Sequence, residues 1–79
     1  MSDKERSLLV EYAYRMREDA RDYYDAACYN ERSRLHMDRV LAQQQFAAAY
    51  AYKKSYDRLY DNIIKPFGYE RELTEMIGS

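Results

Sequence analysis

The chain has 79 residues, ten of them tyrosine and none tryptophan, and sets 13 basic against 14 acidic side chains for a formal charge of -1. A domain this small rarely draws more than about 3 to 5 kcal/mol from its own core without a staple or a partner, and near-neutrality excludes the broad basic surface of a nonspecific nucleic-acid binder. The lone cysteine, Cys28, cannot form an internal disulfide; no apolar run is long enough to span a membrane and none at the start resembles a secretory signal, so a reducing cytoplasm is the expected setting.

No glycine or proline occurs before Pro66, which predicts long helices. Ser2 followed by Glu5 has capping-box spacing, so a first helix should open near residue 3 and run to about 29. Leu9, Ala13, Met16, Ala20, Tyr23 and Ala27 recur at steps of three and four and predict its buried stripe. Asn30 is the expected break, because asparagine tolerates the left-handed conformation at a helix end, and Ser33 is placed to cap the next helix.

A second helix is expected over residues 33 to 65, with a stripe at Ala49, Tyr52, Tyr56, Leu59 and Ile63. Gln43, Gln44 and Gln45 interrupt the apolar period, so a bend or register change is expected there. Pro66 and Gly68 should end the helix, and a third, over about 69 to 77, can present Tyr69, Leu73, Met76 and Ile77 along one side. The predicted fold is all-α: an antiparallel two-helix hairpin with a short C-terminal third helix. Its longer second helix should overhang the first, leaving Ile63, Ile64 and Phe67 for the third helix or a dimer partner to cover.

Positions one step beyond each stripe carry the functional expectation. They are Tyr14, Arg17, Arg21, Tyr24 and Cys28 on the first helix, and Tyr50, Lys53, Asp57, Tyr60 and Ile64 on the second. A step of about 100° turns both rows to the same side of an antiparallel hairpin. Tyr14, Arg17, Arg21, Tyr24, Tyr50, Lys53 and Tyr60 are therefore the expected partner-binding residues, since tyrosine and arginine dominate interface hot spots. The alternative is that these rings seal the core edges beneath the third helix.

The opposite face of the first helix carries Glu11, Arg15, Glu18, Asp22 and Asp25, read as a solvated stripe. Arg32, Arg34 and Arg39, with His36 nearby, form a small basic end and are the candidate phosphate contacts, although Glu31 and Asp38 interrupt it. No nucleophile neighbours His36, no Glu-x-x-His pair marks a metal site and no glycine-rich phosphate loop occurs, so neither catalysis, cofactor nor metal is expected.

The functional expectation is a non-enzymatic module that binds a protein partner or forms a homodimer. A small inhibitor or regulator that occludes its partner fits by analogy, of the kind phages and mobile elements use against host defences, anti-CRISPR proteins included. An oligomeric structural subunit and a small nucleic-acid-binding regulator are the alternatives.

Overall fold

A computed structural model describes residues 2 to 78. Three α-helices follow in order, α1 (Asp3–Glu31), α2 (His36–Leu59) and α3 (Glu70–Ile77), with a π-helical segment at Tyr60–Ile64 continuing α2, and no strand occurs among the described residues. The architecture is the expected hairpin with a short third helix packed on α1.

The Ser2 hydroxyl accepts the Glu5 N–H at 3.2 Å, satisfying one of the orphan donors at the start of α1. The helix then passes through Asn30 and ends at Glu31, so the expected break near Asn30 falls within two residues of the observed end. No described non-glycine residue has a positive φ. Asn30 instead sends its side-chain amide to Gln45 Oε1 across the hairpin at 2.8 Å, and that bond keeps it within the helix.

The reversal is made without glycine or proline. The Ser33 hydroxyl accepts the Leu35 N–H at 3.1 Å and donates to Asp38 at 2.6 Å. From the next turn of α2 the Arg39 guanidinium donates to the Ser33 and Arg34 carbonyls at 3.2 and 3.1 Å. Ser33 thus braces the turn, while the N-cap position itself falls on Leu35, which makes no side-chain cap bond.

Helix α2 is unbroken α-helix through the glutamine run, so no register change falls there. The register change comes at Tyr60–Ile64, where the Lys65 N–H bonds back five residues to the Tyr60 carbonyl at 2.9 Å. A π-turn takes up one extra residue. The inward line therefore steps from Leu59 to Ile64 rather than Ile63, and Ile64 is fully buried beside Leu73 of α3, the cover expected of the third helix. Pro66 follows directly, and its ring would crowd the Asn62 carbonyl of a continuing α-helix. Gly68, at φ +74, supplies the left-handed residue that turns the chain into α3.

The expected overhang does not form, because α1 has 29 residues and α2 with its π-turn has 24 and 5. Ile64 instead joins Val10, Ala13 and Leu73 in the core, with Tyr14, Tyr56, Leu59, Tyr60, Met76 and Ile77 packed around them. Phe67 stays outside and stacks on Tyr69. Toward the turn the helices close on alanines: Ala27, Ala42 and Ala49 are buried, and their small side chains let the backbones approach. Of the stripe expected on α1, Ala13, Met16 and Ala27 are buried, Leu9 and Ala20 are half-buried, and Tyr23 is 39% exposed. Val10 is buried where Leu9 was expected, because α3 packs against that side of α1.

Candidate protein-interaction groove

The two flanks of the hairpin differ. On one, the Tyr23 and Tyr52 rings stack 5.6 Å apart and 13° from parallel, and the Asn30 to Gln45 bond closes the seam nearer the turn. On the other, α3 covers the end where the hairpin opens and leaves the middle uncovered. The rows that define this second flank are continuous. Arg6, Val10, Ala13, Arg17, Ala20 and Tyr24 lie at steps of three and four on α1, as do Phe46, Tyr50, Lys53, Asp57 and Tyr60 on α2.

Beyond the end of α3 the flank becomes a groove of about 580 Å³. Ala20, Ala49, Phe46 and Tyr56 make its floor, Tyr24 and Tyr50 its walls, and Arg17, Arg21, Lys53 and Asp57 its charged rim. The depth has a simple origin. Where the covered end has Val10 and Ile64, this stretch has alanines, which close the backbones but leave space above them. Tyr24 is held edge-on against Phe46 at 5.6 Å, and the Lys54 ammonium lies 5.5 Å from the Tyr50 ring centre. Even so, Tyr24 and Tyr50 remain 55% and 65% exposed.

The rim cations are positioned differently. Glu18 takes Arg17 on one carboxylate oxygen at 3.1 Å and Arg21 on the other at 2.6 Å, holding both guanidinium groups beside the groove. Lys53 makes no ion pair with any described residue. Burial on the floor pushes the Tyr56 phenol above its ordinary pKa of 10, with Arg17 pulling it down and Asp57 adding to the rise. Tyr56 is therefore a neutral hydroxyl at physiological pH.

Five of the seven residues expected to bind a partner, Arg17, Arg21, Tyr24, Tyr50 and Lys53, line this groove. Tyr14 and Tyr60 do not. Both pack against the core beneath α3, and the Tyr60 hydroxyl donates to Glu70 at 3.1 Å. That carboxylate contact, more than partial burial, raises the Tyr60 pKa above 10. Ala20, Phe46, Ala49 and Tyr56 belong to the groove although the stripe reading placed them in the core or left them out. Glu18, read as part of a solvated stripe, was legible as a partner of Arg21 from their three-residue spacing; its contact with adjacent Arg17 was not.

The basic end is divided. Arg39 is committed to two backbone carbonyls. Arg32 lines a shallow depression with Tyr29, Ser33 and Asp38, and Arg34 and His36 are exposed. Among the described residues no three His, Cys, Asp or Glu side chains gather as a metal site requires, and no helix is long and apolar enough to cross a membrane. Comparison with protein-family models, with curated proteins and with solved structures gives no match.

Proposed function

We propose that the protein is a non-enzymatic interaction module that holds another polypeptide chain in the groove between α1 and α2. The supporting observation is the groove itself. It has an apolar, aromatic-walled floor left uncovered in the middle of the hairpin, ringed by Arg17, Arg21 and Lys53. Buried aromatic anchors beside arginine are the usual energetic centres of protein interfaces.

The area agrees. The chain exposes 6088 Å², against about 5,100 Å² for a compact monomer of its mass. The excess is close to the roughly 800 Å² that each partner contributes to a standard interface. An inhibitor of the phage or mobile-element type is one form of such a module, because occlusion needs a surface that grips and no reacting group.

A photo-reactive phenylalanine in place of Tyr50 tests this in producing cells, with the same group in place of exposed Ala51 on the far side of α2 as control. The reading expects discrete protein adducts from position 50, weakened by Tyr24→Ala, and none shared with position 51. Adducts that are the same from both positions would show that the groove is not the gripping surface. Adducts of twice the chain mass favour the oligomeric subunit over the regulator.

A further inference from the structure

The chain carries its own example of what this flank accepts. Helix α3 lies over the end of it with Leu73 buried among Val10, Ala13 and Ile64. Outside that apolar contact it is acidic, with Glu70, Glu72 and Glu75 against Arg71. Two of the three carboxylates are met by the hairpin. Arg6 pairs with Glu72 at 3.1 Å, and the Tyr60 hydroxyl bonds Glu70. Arg6 and Tyr60 belong to the same two rows that continue as Arg17, Ala20 and Tyr24 on α1, with Arg21 beside them, and Tyr50, Lys53 and Asp57 on α2. The groove thus repeats the pattern of the covered end, an apolar floor with positive charge along the lip, with none of the described residues lying on it.

We propose that the groove takes an acidic amphipathic helix of a partner protein, laid end to end with α3 so that the two together cover the whole flank. The inference rests on the reading of the groove as a protein-binding site and names the chemistry of its occupant. The length fits, since Phe46 to Asp57 spans roughly 16 Å of α2, or three turns of a helix. So does the floor: Ala20 and Ala49 leave space for larger apolar anchors, as in helix-in-groove recognition. The sign of the occupant follows from the rim, where Arg17, Arg21 and Lys53 stand against Asp57 and the Glu18 that pairs with both arginines, leaving one net positive charge. Arg17 and Arg21 are already oriented by Glu18, so less side-chain entropy is lost when carboxylates arrive.

The probe is a fluorescein-labelled, helix-stapled peptide with the sequence of Tyr69–Ile77, compared by anisotropy with one in which its three glutamates are lysines. Each is titrated with the full chain, with the Arg21→Glu, Lys53→Glu double variant and with Arg6→Glu, circular dichroism confirming that the variants fold. The acidic peptide should bind the full chain at least about tenfold more tightly than the lysine peptide, and the double variant should reverse that order, because like charges across an interface are strongly disfavoured. Arg6→Glu should leave acidic-peptide binding within about twofold, as expected of a charge outside the contact. Equal binding of the two peptides overturns the proposal. So does loss of binding in Arg6→Glu but not in the double variant, which would mean that the peptide only replaces α3. If neither peptide binds while groove-specific adducts still form from position 50, the groove holds a protein of other chemistry and the proposal falls; if those adducts are missing as well, the protein-binding reading fails with it.

Discussion

Tyr60 shows how one hydroxyl can change a residue's role. Its place in the sequence puts it in the same row as Tyr50 and Lys53, yet its O–H donates to Glu70 on α3, and the ring packs 6.0 Å from Tyr56. Tyr60 is thus a clasp on the third helix. Its folded-state pKa lies above the ordinary 10, so the stability it contributes is present in full below pH 10. That contribution is lost as the pH rises through the folded value, when a phenolate would face the Glu70 carboxylate. Above pH 10 the wild type should lose α3 packing more steeply than Tyr60→Phe, and absorbance at 295 nm should show one fewer late-titrating tyrosine in the variant. Identical alkaline unfolding of the two proteins would remove the clasp. The same argument moves the expected effect of Tyr60→Ala from partner binding to the melting temperature, whereas Tyr24 stays in the groove.

At the scale of elements, the helix periodicity and the stops at Pro66 and Gly68 were readable from local chemistry, and so were the three helices. The missed features depend on tertiary contacts. The Asn30 side chain, read as a helix end, instead bonds Gln45 fifteen residues on. The π-turn at Tyr60–Ile64 has no periodic signature, since its one-residue shift shows only against the core that Ile64 enters. Groove and core also divide the alanines in a way that spacing alone does not reveal. Ala20 and Ala27 share one stripe, but Ala27 is fully buried while Ala20 lines the groove. Ala27→Leu should therefore cost about 1 to 3 kcal/mol by overpacking, and Ala20→Leu less than about 1 kcal/mol because the larger side chain enters open space. Urea unfolding of the two variants measures the difference. Equal losses would put Ala20 in a closed contact and make the groove shallower than described. Ala20→Leu should also block the groove, which separates stability from binding in one residue.

The whole molecule is extended, 50 by 24 by 16 Å with a radius of gyration of 15.3 Å, against about 12 Å for a compact domain of this length. Its core is small, and among the described residues half of the eight buried apolar side chains are alanine. Twelve large apolar side chains among the described residues are exposed, Tyr24 and Tyr50 among them. Surplus surface beside a small core is what the sequence implied through its tyrosine content. The hairpin adds the location: α3 is long enough to cover one end of the open flank and not the rest.

If the groove holds a partner, this flank is open in the isolated chain and covered in the cell. Thiol labelling tests it most directly, with Lys53→Cys or Ala51→Cys placed in a Cys28→Ser background and maleimide modification rates compared between purified protein and producing cells. The position-53 thiol should react fast when purified and at least about tenfold more slowly in cells, because the contacts that ring an interface exclude water, while the position-51 thiol keeps the same rate relative to a small-thiol standard. A position-53 thiol that reacts in cells as readily as that at position 51 would contradict the account.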